Sequence, residues 1–123
     1  MIFIGLRTVG YQVPDVGKAK EWYSKTLGIE PYFDEPFYVG FNVGGYELGL
    51  QPSTDSFGAC GSTAYWGVSN ADDAFSRLIE AGATPADPVS DVGEGIRVGA
   101  VLDPFGNRLG IIENPHFDPS TAK

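Results

Sequence analysis

Two stretches of the chain show the same alternation of apolar and polar positions, each followed by the same helical spacing. In Thr8-Val-Gly-Tyr-Gln-Val13, residues Val9, Tyr11 and Val13 fall on one side and Thr8, Gly10 and Gln12 on the other. This is the period-2 pattern of a half-buried strand. In Thr63-Ala-Tyr-Trp-Gly-Val68, 55 residues further on, Ala64, Trp66 and Val68 oppose Thr63, Tyr65 and Gly67 in the same order. A helix is predicted after each strand. Asp15 caps the first, which places Ala19, Trp22, Tyr23, Thr26 and Leu27 at helical spacing and stops at Gly28. Asn70 caps the second, with Ala71, Ala74, Phe75, Leu78 and Ile79 at that spacing and Gly82 at its end. Trp22, Tyr23 and Phe75 are expected to pack helix on sheet, the usual role of aromatic residues at this spacing.

Strand-like runs follow each helix, at about 30–34, 37–44 and 46–52 and again at about 84–87, 95–103 and 107–113. Gly44-Gly45 and the Asp103-to-Asn107 stretch are hairpin signals. Each copy therefore reads as strand, helix and three strands. The chain is predicted to be a single domain over residues 1–116, made of two βαβββ modules at about 1–54 and 61–116. Pro52 to Ser62 forms the linker, which contains Cys60, and 117–123 form a C-terminal tail.

Composition narrows the classes. A chain of 123 residues needs no second domain. No run approaches the roughly 18 apolar residues of a membrane span, and the Met-Ile-Phe-Ile start lacks the basic flank of a signal peptide, so a cytoplasmic protein without membrane contact is expected. One cysteine excludes an internal disulfide, and with the single His116 it leaves too few ligands for a Cys/His zinc site. Sixteen acidic against eight basic residues give a formal charge of −8, which repels nucleic acid and anionic lipid. That balance is read either as a soluble surface or as a preference for neutral or cationic ligands.

The segments YQVPDVGKAKEWYSKTLGIEP and YWGVSNADDAFSRLIEAGA open the two copies, and LDPFGNRLGIIE closes the second. Together they resemble the vicinal oxygen chelate superfamily, that of glyoxalase I, extradiol dioxygenases and bleomycin-resistance proteins. The resemblance covers residues 3 to about 114. It implies an α+β fold in which two βαβββ modules form a cupped mixed sheet. In metal-dependent members, the start of each first strand supplies His or Gln and each last strand supplies Glu to a divalent ion. Carried onto this chain, the first-strand positions are Thr8 and Thr63, neither of them suited to such an ion. The last-strand position of the second copy is Gly110. In the first copy it is Leu48, or Glu47 with a slip of one residue. No metal and no other cofactor are therefore expected, and Gly110 takes the place of a ligating glutamate.

A cup without metal would be lined by Thr8, Gly10 and Gln12 from one copy and by Thr63, Tyr65 and Gly67 from the other. Tyr65 is read as a stacking or hydrogen-bonding group or as simple cross-strand packing. Arg97 is read as a partner for a ligand carboxylate or for a neighbouring acid. Tyr38 and Tyr46 are further candidates, and Glu47 could act as a base or as the counter-ion of a cationic ligand. Glu113 is expected to be a solvated strand end. The resemblance favours a small-molecule binding protein, with a homodimer formed through edge strands. A glyoxalase-like lyase, isomerase or dioxygenase is the alternative.

Overall fold

A computed structural model describes residues 2–53, 61–105 and 107–117. Cys60, Gly106 and the tail from 118 onward lie outside the described residues. The elements are β1 (Phe3–Val13), α1 (Val16–Leu27), β2 (Phe33–Glu35), β3 (Tyr38–Val43), β4 (Tyr46–Pro52), β5 (Ser62–Val68), α2 (Ala71–Glu80), β6 (Thr84–Asp91), β7 (Arg97–Leu102) and β8 (Arg108–Glu113). The α+β order of strand, helix and three strands is thus present twice. Differences from expectation are local. β1 starts five residues before Thr8, at Phe3, and β2 is only three residues long. β6 runs on to Asp91, with register shifts after Pro85 and Asp87. Pro85 and Pro88 in that strand have no N–H to give the ladder.

Among the described residues the chain forms two compact units. The first, residues 8–62, has strand order β2-β3-β4-β1. Here β4 runs antiparallel to β3 and parallel to β1, in the register Thr8↔Glu47, Gly10↔Gly49 and Gln12↔Gln51. Helix α1 covers one face. Val13, Val16, Ala19, Tyr23, Leu27 and Leu48 pack against a fully buried cluster of Val39, Phe41 and Leu50. Asp15 caps the helix by accepting from the Lys18 N–H, and Gly28 ends it in the left-handed region at φ 73°, where a glycine carries no steric penalty. Trp22 departs from expectation: it is 60% exposed and meets Tyr23 edge-on. At 100° per residue it lies about 60° beyond Ala19, the edge of the stripe formed by Val16, Ala19, Tyr23 and Leu27, so most of its ring faces solvent.

The second unit comprises residues 2–7 and 63–117. Its strand order is β5-β8-β7-β6, with residues 3–7 of β1 beside β5 and Phe3 packed on Trp66. β5 and β8 are parallel, and Tyr65 is paired with Gly110. Val68, Ala71, Ala74 and Ile111 form the core under α2, joined by Phe3, Phe75, Leu78, Val89 and Leu109. Asn70 caps α2 by accepting from the Asp73 N–H. Glu113 is not a solvated strand end: its carboxylate accepts from the Ala71 N–H at 2.8 Å and satisfies an otherwise free donor in the first turn of α2. In the β7–β8 turn, the Asp103 carboxylate accepts from the N–H groups of Phe105 and Asn107, both at 2.8 Å. This is turn chemistry, as expected.

Candidate functional site

The face of the first unit turned away from α1 is built in rows across β3, β4 and β1. Asn42, Glu47 and Thr8 lie side by side in one row, and Gly40, Gly49 and Gly10 in the next. Gln51 and Gln12 follow in a third. The three adjacent glycines leave a trough without side chains between two polar rows. Tyr38 and Tyr32 use that room. A methyl group at Gly49 would collide with the Tyr38 hydroxyl and lie 2.6 Å from its Cζ. One at Gly40 would lie 2.7 Å from Glu47 Oε2 and 3.1 Å from Tyr32 Cε1. Glycine is required at both positions for close approach rather than for an unusual φ.

Three hydroxyl groups converge on Glu47. Its Oε1 accepts from Thr8 Oγ1 at 3.0 Å and from the Tyr38 hydroxyl at 2.9 Å. Its Oε2 accepts from the Tyr32 hydroxyl. Tyr32 lies just ahead of β2 and is fixed by its own N–H, which donates to the Gly40 carbonyl at 2.9 Å. A carboxylate offers about four lone-pair sites, so about one stays open to a further donor.

Partial burial of the Tyr32 hydroxyl, at the inner end of a residue that is otherwise exposed, then its hydrogen bond to Glu47 and the carboxylate charge, push this phenol above its ordinary value of 10.0. The native state therefore keeps the proton at a pH where the unfolded chain has lost it, so the contribution is complete below about pH 10 and shrinks as pH rises further. The gap in urea midpoint between the native sequence and Tyr32→Phe is expected to be constant from about pH 7 to 9 and to narrow above 10. A widening gap would mean that Tyr32 ionises more easily when folded.

In the second unit, Thr63 is 1% exposed, and its Oγ1 accepts from Arg108 Nε at 3.1 Å. The Arg108 guanidinium also pairs with Asp87. The Tyr65 ring lies across Gly110, where a methyl group would sit 2.5 Å from its Cδ1. The two units thus repeat one arrangement with opposite charges. Thr8 stands beside Glu47 and Thr63 beside Arg108. Two residues further along each last strand comes a glycine under a tyrosine ring.

That repeat corrects one expectation. Gly10 pairs with Gly49 as Tyr65 pairs with Gly110, so the residue equivalent to Gly110 is Gly49 and not Leu48. Leu48 packs on the opposite face under α1, while Glu47 shares the trough face with Thr8. Of the two readings of Arg97 the neighbouring acid holds: its guanidinium pairs with Asp72 in the first turn of α2 at 3.0 Å. Tyr46 is exposed at the start of β4. The structure brings Thr8, Tyr38 and Glu47 together in one unit and Thr63, Tyr65 and Gly110 in the other. Tyr32, Arg108 and Asp87 belong to these groups although none is among the candidates that the sequence offers. For Arg108 a signal existed, since Glu47-Leu-Gly-Leu50 recurs as Arg108-Leu-Gly-Ile111.

The donor set does not fit the divalent ion of metal-dependent relatives. The four strand positions hold two threonines and two glycines, and tyrosine rings cover both glycines. Among the described residues no group of three or more His, Cys, Asp or Glu side chains could hold a metal ion. A groove of about 520 Å³ lies on the helix side of the first unit, between Pro14, Lys20, Asp34, Pro36 and Pro52. A 2.6 Å Lys20–Asp34 ion pair lies within it and raises the lysine's affinity for its proton. Glu47 lies on the other face.

Two βαβββ modules, each with a polar strand face opposite its helix, define an α+β protein of the paired-module type. Residues 5–111 match the model of the Glyoxalase/Bleomycin resistance protein/Dioxygenase superfamily, and the chain belongs to that superfamily. Solved structures agree in fold. Methylmalonyl-CoA epimerase from Streptomyces coelicolor, in complex with 2-nitronate-propionyl-CoA, is similar at TM-score 0.75 and 14% identity, over 92% of this chain and 99% of that one. The Mycobacterium tuberculosis epimerase gives 0.73 and 21%, over 91% and 89%. A superfamily member from Vibrio splendidus gives 0.67 and 16%, over 89% and 99%. At these identities the likeness is one of fold. A search of the curated proteins finds no significant match. Among the described residues no helix is long and apolar enough to cross a membrane.

Proposed function

We propose that this protein is a metal-independent member of the superfamily that binds a small organic molecule without transforming it. The ligand lies on the trough face of the first unit, against Thr8, Tyr32, Tyr38 and Glu47. The observation that carries this reading is the overlay of Tyr38 on Gly49 and of Tyr65 on Gly110. Where metal-dependent relatives place a carboxylate, this chain has made room for aromatic rings. Tyrosine faces offer a flat apolar surface with a polar tip, suited to stacking a ring or an acyl chain. The remaining acceptor site of Glu47 favours a ligand that donates a hydrogen bond or carries positive charge. The epimerases of similar fold include one holding a CoA thioester. The phosphates of such a molecule are disfavoured by a chain of charge −8 and by a carboxylate on this face.

Elemental analysis tests the metal-independent part. Protein purified without a histidine tag or chelator is incubated in turn with nickel, cobalt, zinc, manganese and iron(II), then desalted. Retained metal is expected to stay far below one equivalent for every ion. One equivalent of any of them, lost on substitution of Glu47, would overturn the proposal and make metal-assisted catalysis the leading reading.

A further inference from the structure

Gln12 is 3% exposed, and among the described residues neither the nitrogen nor the oxygen of its side-chain amide has a hydrogen-bond partner. Such a residue is rare, because burying a polar group unpaired forfeits its hydration without return. The backbone fixes its place. The Gln12 N–H donates to the Gly61 carbonyl at 2.9 Å, and the residue is in register with Gln51 of β4. Strand alternation therefore puts its side chain on the trough face, one row beyond Gly10 and Gly49.

We infer that the Gln12 carboxamide is the specificity-determining group of this face and reads an amide on the ligand. This rests on the reading of the trough as a small-molecule site. A primary carboxamide presents a donor and an acceptor side by side in one plane. Both are satisfied at once only by a group offering the complementary pair: a primary or secondary cis amide, a lactam, a urea or the edge of a nucleobase. A carboxylate can satisfy only the nitrogen and an ammonium only the oxygen, so either leaves one buried atom unpaired. A site with an unpaired polar group discriminates strongly against molecules that leave it so. The ligand class is a neutral amide-bearing molecule.

Two measurements on the full chain test this. The first is thermal unfolding of Gln12→Leu, with Gln12→Met as the volume-conserving second variant. Removing an amide that has no partner is expected to raise the midpoint by roughly 3–8 °C. A lower midpoint in both variants would mean that the amide is already satisfied inside the fold, which overturns the inference. The second is titration of ¹⁵N-labelled protein with acetamide, small enough to reach a closed site, and with acetate as its acceptor-only isostere. Saturable shifts of the Gln12 side-chain NH₂ signals by acetamide and not by acetate are expected, with loss of saturable binding in Gln12→Leu. No saturable shift, equal response to acetate, or binding that persists in Gln12→Leu would each overturn it. Metal retention, which would overturn the proposed function, leaves these readouts independent.

Discussion

Glu47→Leu is expected to destabilise the protein by about 2–4 kcal/mol, and Glu47→Gln by about 1–2 kcal/mol, in urea unfolding at neutral pH. Hydrogen bonds to a charged acceptor are worth about 1.5–3 kcal/mol each, and Glu47 accepts three. They do not add fully. Tyr32 is 64% exposed as a residue and can exchange its bond for water, so its share is small. Thr8 is 7% exposed, and leucine at position 47 leaves its hydroxyl stranded. Glutamine keeps an acceptor oxygen, and the hydroxyls of Thr8 and Tyr38 can rotate to accept from its NH₂. The order of the two variants therefore carries the test. If leucine were neutral or stabilising, Glu47 would be an uncompensated charge, and the three hydroxyls could not be what holds it in place.

The parts of the fold legible in the sequence are those that local chemistry dictates. Alternation in Thr8–Val13 and Thr63–Val68, side-chain caps at Asp15 and Asn70 and the left-handed glycine at 28 each specify a local conformation that packing then keeps. The site was less legible, for two physical reasons. A strand has a period of two, so a slip of one residue moves every side chain to the other face, and one residue is all that separates Leu48, under the helix, from Gly49 in the trough. Aligning Glu47-Leu-Gly-Leu with Arg108-Leu-Gly-Ile removes the ambiguity, because the two glycines then coincide. Tyr32 had no comparable signal. It lies outside any strand, and its reach to Glu47 depends on the missing side chain of Gly40, a close approach that no periodicity encodes. Trp22 shows the converse, an aromatic at nearly helical spacing that sits just off the half-buried stripe packed on the sheet.

Gly110→Ala is expected to destabilise the native protein by about 1–3 kcal/mol and to stabilise a Tyr65→Ala background by about 0.5–1 kcal/mol. The reversal of sign follows from the geometry. Alanine reduces the backbone entropy lost on folding, so in an unobstructed strand it is better than glycine. Here its methyl group would lie 2.5 Å from Cδ1 and 2.7 Å from Cε1 of Tyr65, and the ring must move. Removing the ring removes the obstruction and leaves the entropic gain. A double-mutant cycle should therefore give a coupling above about 1.5 kcal/mol, well beyond the scatter of independent sites. Gly110→Glu, which places a carboxylate where metal-dependent relatives carry one, is expected to cost at least as much as Gly110→Ala. It gains no metal, because Thr8 and Thr63 supply no imidazole and Tyr65 still fills the space. An equal cost of Gly110→Ala in both backgrounds would separate Gly110 from Tyr65, and with it the argument that this face was rebuilt around tyrosine rings.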